Sequence, residues 1–420
     1  MASTWSALSD TWAGLDDSWL GVVTLDTVVE LGLLGGFILD DPVGGVLDNT
    51  EFLLGGILFE DISDKMITIR TTRGKNRDLD VFDTGRTTIR LNNDDRSFDP
   101  NYLSSPFAGN IVPRRPIRIT TGGLRVFTGT IDDWNFDYNP GGGSLAEIIA
   151  SDDFTLISRQ ELTPGTATSE ATGARVSAVL DMETVGWPAD RRNIDPGHSE
   201  LGADVFEGNV LDYLQLVERS EQGQLFIAKN GDLIFRDRLD ATPKSGSVTT
   251  FADDGTGIPY THVNVNYGTE LLYNQATVTS AVGSSTAINE FSQIQYGITA
   301  TELETLVDSQ SQLDNLADYL VQKYATPEYR FAGVSMNLDT MSAPNLASVL
   351  ALELGDVVLI KFTPNGIGDP ISQYGQIISL DNDIEGNRHD ITIGVTSLDW
   401  TFLVLDDALF GTMGNNSLAF

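Results

Sequence analysis

The residues that could do chemistry are abundant in one class and scarce in the others. Sixty carboxylates stand beside three histidines and no cysteine. Disulfides, thiol catalysis and Cys-ligated zinc are therefore excluded. His198, His262 and His389 fall in no HExxH or other zinc spacing. Neither a GxSxG nucleophile elbow nor a GxxxxGK[ST] phosphate loop is present. Asp381-Asn382-Asp383-Ile384-Glu385-Gly386 imitates the start of a calcium loop, but its twelfth position is Thr392 where a bidentate Glu is needed. A hairpin turn between two strands explains it better. Asp40-Asp41 and Asp406-Asp407 pair carboxylates without a third or fourth ligand at a recognisable spacing, so turn capping is preferred there too. A glycosidase could use two carboxylates that no spacing identifies. The reading of the residues is thus no catalytic residue, no cofactor and no metal.

A formal charge of −35 argues against nucleic-acid affinity, because phosphate binding needs clustered Lys and Arg. An acidic wall still suits a conduit that must not hold DNA. The first basic residue is Lys65, so no positively charged leader is expected. The apolar run from Leu20 to Leu39 is broken by Asp26 and Glu30, and no membrane-spanning segment is expected. Residues 1–64 hold twelve acidic and no basic side chains, whereas residues 65–125 hold twelve basic and six acidic. An acidic arm beside a basic domain suggests that one docks on the other.

Two repeats mark the ends of the chain. Trp5, Trp12 and Trp19 are seven apart, with Leu8, Leu15 and Val22 three residues behind each. That spacing places Trp and Leu on one helical face, although Ser, Thr, Asp and Gly14 are poor helix formers. The Trp side chains either contact a partner surface or form a short amphipathic helix on the protein's own core. The second repeat aligns Leu39, Asp40, Asp41, Gly45 and Asn49 with Leu405, Asp406, Asp407, Gly411 and Asn415, two copies of a turn-rich clasp. Trp5, Trp12, Trp19, Asp40, Asp41, Asp406 and Asp407 are the expected partner-contact residues.

Between these ends, Ile67 and Ile69, Ile89 and Leu91, Ile117 and Ile119, and Val126 to Ile131 alternate as strands. Residues 140–143 form a hairpin loop and Glu147 to Ser151 a returning strand. Asn209 caps a helix running to Glu221, and Asn230-Gly231 predicts a hairpin in which both residues can take positive φ. Leu313, Leu316, Ala317, Leu320, Val321 and Tyr324 line one helix face, with Pro327 beyond its end. Strands return at Val263 to Tyr267, Ala276 to Thr279, Val357 to Phe362, Gln376 to Leu380 and Ile391 to Val395. Two of these regions resemble each other: Pro116 to Thr120 followed by Phe127-Thr128-Gly129-Thr130-Ile131, and Val357 to Lys361 followed by Tyr374-Gly375-Gln376-Ile377.

Several stretches carry a resemblance to a known family: Leu39 to Asn49, Gly85 to Pro100, Pro106 to Pro116, Phe127 to Trp134, Ser292 to Gly297 and Leu354-Gly355-Asp356. In their order and spacing the chain resembles phage minor tail proteins of the baseplate hub or tail-associated type, particularly those of long-tailed actinobacteriophages, from about residue 37 to the end. The resemblance implies a mainly β fold with α+β insertions. Two tail-tube-like antiparallel β-barrels would occupy 65–155 and 246–290 with 345–400. An α/β module (156–245), a helix-containing insertion (291–344), the arm (1–64) and a C-terminal clasp (401–420) complete the plan. It implies a homotrimeric, non-enzymatic hub in the virion, closing the tail tube with pseudo-sixfold symmetry and forming part of the DNA conduit. Its partners would be the distal tail protein, other tail-tip proteins and the tape measure protein. Many relatives extend into lytic or receptor-binding regions, and the end at Phe420 sets the expectation of no direct lytic role. The competing readings are a receptor- or carbohydrate-binding adhesin and a cell-wall glycan hydrolase.

Overall fold

The computed structural model describes residues 25–34, 56–238 and 248–398. Period-two alternation builds the first run of strands: β1 (Thr27–Leu34), β2 (Ile57–Asp61), β3 (Met66–Gly74), β4 (Asp83–Asn92), β5 (Pro116–Thr121), β6 (Leu124–Asp137) and β7 (Leu145–Ser151). Ile69, Ile89, Leu91, Ile117, Ile119, Ile131 and Ile148 point inward and are fully buried. Their hydrogen-bonded order is β3-β4-β7-β6-β5-β1-β2, antiparallel throughout. Part of the acidic arm therefore docks on the basic region as sheet. Glu30 lies opposite Arg118 and pairs with Arg125 at 3.5 Å, and the Arg118 guanidinium stands 3.5 Å from the Phe59 ring centre.

The inserted α/β module follows: α1 (Phe154–Ile157), β8 (Gly165–Ala167), β9 (Glu170–Ala171), α2 (Thr172–Leu180), β10 (Arg192–Ile194), β11 (Glu200–Leu201), β12 (Asp204–Phe206), α3 (Val210–Glu221), β13 (Gln224–Ile227) and β14 (Leu233–Arg236). Asn209 caps α3 by accepting the N–H groups of Leu211 and Asp212. In the β13–β14 hairpin only Gly231 takes positive φ, at 93°. Gly231 N–H donates to Ala228 O and Ala228 N–H to Asp232 O. The Asn-Gly pair thus makes a three-residue loop with glycine at its left-handed position, not the two-residue turn expected.

The second run holds β15 (Thr249–Ala252), β16 (His262–Tyr267), then β17 (Gln275–Ser280), β18 (Gly283–Ile288), α4 (Glu290–Tyr296), β19 (Ala300–Glu304) and α5 (Gln310–Tyr324). It ends with β20 (Tyr329–Asn337), α6 (Ala343–Ala351), β21 (Val357–Phe362), β22 (Ile371–Glu385) and β23 (Arg388–Leu398). β17, β18 and β19 form a separate three-stranded sheet. The six apolar residues predicted on α5 are all buried in a small second core with Ala276 and Val278 of β17. So β17, expected in the second barrel, belongs with α5, while β20, expected in the helical insertion, joins the main sheet.

The two runs repeat one strand plan. β3-β4-β7-β6-β5 corresponds to β16-β20-β23-β22-β21, with the same antiparallel pairings. Ile117 faces Gly129 in one copy and Val358 faces Gly375 in the other. Each long strand bulges just past that glycine, after Ile131 in β6 and after Ile377 in β22. Even the flanking bonds match. Arg114 N–H donates to Ile131 O at 2.7 Å and Ile131 N–H to Arg115 O at 2.8 Å; Gly355 N–H donates to Ile377 O at 2.8 Å and Ile377 N–H to Asp356 O at 2.9 Å. The outer strands differ, since β1 is antiparallel to β5 and β15 parallel to β21.

The mainly β class with α+β insertions is what the structure shows, but neither copy closes into a barrel among the described residues. On the edge away from β4, β3 pairs with the second half of β22, from Ser379↔Gly74 to Glu385↔Thr68, and not with a second strand of its own copy. The edge that would close one barrel is used to join the two, and the result is a single 13-stranded sheet.

Candidate assembly interface

The seven expected contact residues (Trp5, Trp12, Trp19, Asp40, Asp41, Asp406 and Asp407) lie outside the described residues. Among the described residues no group of three or more His, Cys, Asp or Glu side chains could hold a metal ion. The histidines are dispersed. His389 is buried with Nε2 2.9 Å from Asn382 Oδ1, and burial pulls its pKa down to about 4. His198 stands 3.4 Å from Asp237, and His262 is exposed on β16. Asp381 to Glu385 are strand residues of β22, and the turn falls after them at Gly386, which has positive φ.

Two charged clusters tie distant elements together. Arg73 of β3 is buried where both copies and the inserted module meet. Its Nη2 donates to Glu353 Oε1 and to the Ile227 carbonyl of β13, both at 2.8 Å. Glu353 also accepts the Lys229 N–H at 2.9 Å, while Lys229 Nζ donates to the carbonyls of Leu350, Ala351 and Leu352 at the end of α6. Burial would raise the Glu353 pKa, but the Arg73 guanidinium and two backbone N–H groups outweigh it and hold it below its ordinary value. A second anchor ties α5 to the β3–β4 loop: Lys323 Nζ and Tyr324 Oη donate to Asp78 at 2.9 and 2.5 Å. Sequence reading missed both clusters. Each joins residues remote in the chain, and the one signal for the first was that alternation sets Arg73 on the same inward face as Ile69 and Thr71.

Among the described residues, β16 and the far half of β6 are two of several strand edges that carry no partner. β16 pairs with β20 on one side only. β6 has β7 on one side; on the other β5 stops opposite Thr130, so residues 132–137 present a bare backbone edge. Beside that edge runs an aromatic ladder of Trp134, Phe136 and Tyr138, with ring centres 6.2 and 6.1 Å apart. Phe98 stacks on Trp134 from within, at 6.0 Å. Trp134 and Phe136 are half-buried, and Tyr138 is 50% exposed. Bare edges flanked by apolar side chains are templates for pairing with a further strand, which makes this the candidate assembly surface.

Solved structures share this architecture. The 43 kDa tail protein of prophage MuSo2 from Shewanella oneidensis superposes with a TM-score of 0.56 at 14% identity, covering 88% of this chain and 96% of the other. The tail protein from Neisseria meningitidis MC58 gives 0.56 at 10% identity, covering 88% and 95%. The chain thus has a fold found in phage tail proteins. No family model and no curated protein sequence matches it. No described helix is long and apolar enough to cross a membrane.

Proposed function

We propose that this chain is a non-enzymatic structural hub of a phage tail tip, working as a homotrimer in the virion. The observation that carries the reading is the repeated strand plan, joined within one chain by β3 and β22. Three chains bring six such units together, which matches a six-fold tube to a three-fold tip. The ring closes the tube and forms part of the DNA conduit, and the acidic chain leaves passing DNA unheld. The distal tail protein and other tail-tip proteins, with the tape measure protein, are its neighbours, reached by the Trp-bearing arm and the paired-Asp clasps. The likeness in fold to tail proteins supports the same role.

The test is solution mass combined with a lytic assay. Light scattering on the full chain, alone and mixed with its tail neighbours, is expected to give a trimer, and peptidoglycan is expected to stay intact. A well-folded monomer that cleaves cell-wall glycan would sink the proposal.

A further inference from the structure

The internal repeat predicts more than a copy number, because it contains one finished junction and two unfinished edges. At the finished junction, β3 lies on the second half of β22, beyond the bulge at Ile377. The equivalent of that half-strand is residues 133–139 following the bulge in β6, and the equivalent of β3 is β16. Among the described residues both equivalents are bare on the corresponding edge. We infer that β16 of one chain adds antiparallel to the outer edge of β6 in a second copy of this chain. The inference rests on the homotrimer reading above and specifies how its chains meet.

The register follows from matching pairs within the two copies. Ile69 opposes Ile89, which opposes Ile148; Val263 opposes Val334, which opposes Ile393. Thus Ile69 and Arg70 correspond to Val263 and Asn264. Along the other edge Leu380, Asn382, Asp383 and Ile384 correspond to Trp134, Phe136, Asp137 and Tyr138, counted from the shared bulge. Transferring Leu380↔Arg73, Asn382↔Thr71 and Ile384↔Ile69 then sets Trp134 against Tyr267, Phe136 against Val265 and Tyr138 against Val263. The polar positions fall together on the other face, Asn135 with Asn266 and Asp137 with Asn264.

That sorting was not imposed. The correspondence is read from backbone pairing as far as Asn264 and, beyond the bulge in the β16–β20 pair, from residue count along β16; it places apolar on apolar and polar on polar, whereas a one-residue slip would mix every pair. Burial agrees. At the finished junction Leu380, Asn382, Ile384, Ile69, Thr71 and Arg73 are all buried. Their counterparts are half-buried or exposed in the single chain, with Tyr267 at 70%. Cross-strand aromatic and β-branched pairs of this kind favour strand addition. Three junctions within chains and three between chains close a six-unit ring.

The chain has no cysteine, so paired cysteines report the contact directly. Directly opposed residues have Cβ atoms about 5 Å apart and diagonal ones about 7–8 Å, and only the former suit a disulfide. Asp137→Cys with Asn264→Cys, and independently Asn135→Cys with Asn266→Cys, place both thiols at exposed positions. Oxidation of either full-length variant is expected to give disulfide-linked dimers and trimers. The off-register pair Asp137→Cys with Asn266→Cys should yield at least five-fold less. A trimeric mass with no crosslink, or with equal crosslinking of both registers, overturns this junction and leaves the trimer standing. A monomeric mass for every variant and for the parent overturns both.

Discussion

Glu218 holds a carboxyl in an environment that resists its charge. Its Oε1 accepts the Leu225 N–H at 3.1 Å, while Oε2 is buried with no hydrogen-bond partner. Burial pushes its pKa up to about 7 from an ordinary 4.5, against the pull of Lys75. The folded state therefore binds this proton more tightly than the unfolded chain, and stability falls as pH rises through the window from about 4.5 to about 7. Glu218→Gln retains the acceptor and has no proton to lose. Denaturation midpoints at pH 5 and pH 8 should show the parent losing stability of order 1–3 kcal/mol that the variant keeps; parallel profiles would refute this. Gly129 and Gly375 mark the other residue-scale constraint. A Cβ on Gly129 would strike the Ser151 carbonyl oxygen, and one on Gly375 would come within 3.0 Å of Val395 Cβ. Glycine recurs at this place in both copies because the neighbouring strand leaves no room for a side chain.

Strands from both copies and the inserted module are locked to one another by Arg73 and Glu353. Neither partner is exposed enough for water to replace the other, so removing one strands the other. Arg73→Leu should cost about 3–5 kcal/mol in denaturant unfolding. The double variant Arg73→Leu with Glu353→Leu should recover part of that loss, because no uncompensated charge remains. Equal losses in the two variants would mean that the cluster acts through packing alone. Because the Glu353 pKa is held down, this contribution is present above its ordinary value and fades as pH falls below it.

On the scale of the whole molecule, the proposed assembly role divides between the Trp-bearing segment 1–24 and the repeated sheet. Deleting residues 1–24 should leave the sheet folded, since β1 begins at Thr27 and every described core residue lies beyond the deletion. It should lower incorporation into tails at least ten-fold in a complementation assay. Loss of the folded circular-dichroism signal on deletion would instead assign the Trp repeat to the protein's own core.

Local signals were legible in the residues themselves. Asn209 marked the start of α3 because its side chain satisfies free N–H groups there. The six apolar residues of α5 marked its buried face, and Phe127 to Ile131 and Tyr374 to Ile377 disclosed two similar hairpins. The lack of cysteine excluded disulfide, thiol and Cys-ligated zinc chemistry from the residues alone. Tertiary structure alone decided which strands are neighbours. Alternation says which side chains share a face, but it is blind to the partner across the backbone bonds. For that reason β20 was read into the insertion, β17 into the barrel, and two separate barrels were expected where β3 and β22 join one sheet. The meeting of Arg73 with Glu353, and the bare edges of β6 and β16, follow from that same long-range pairing, which no local pattern encodes.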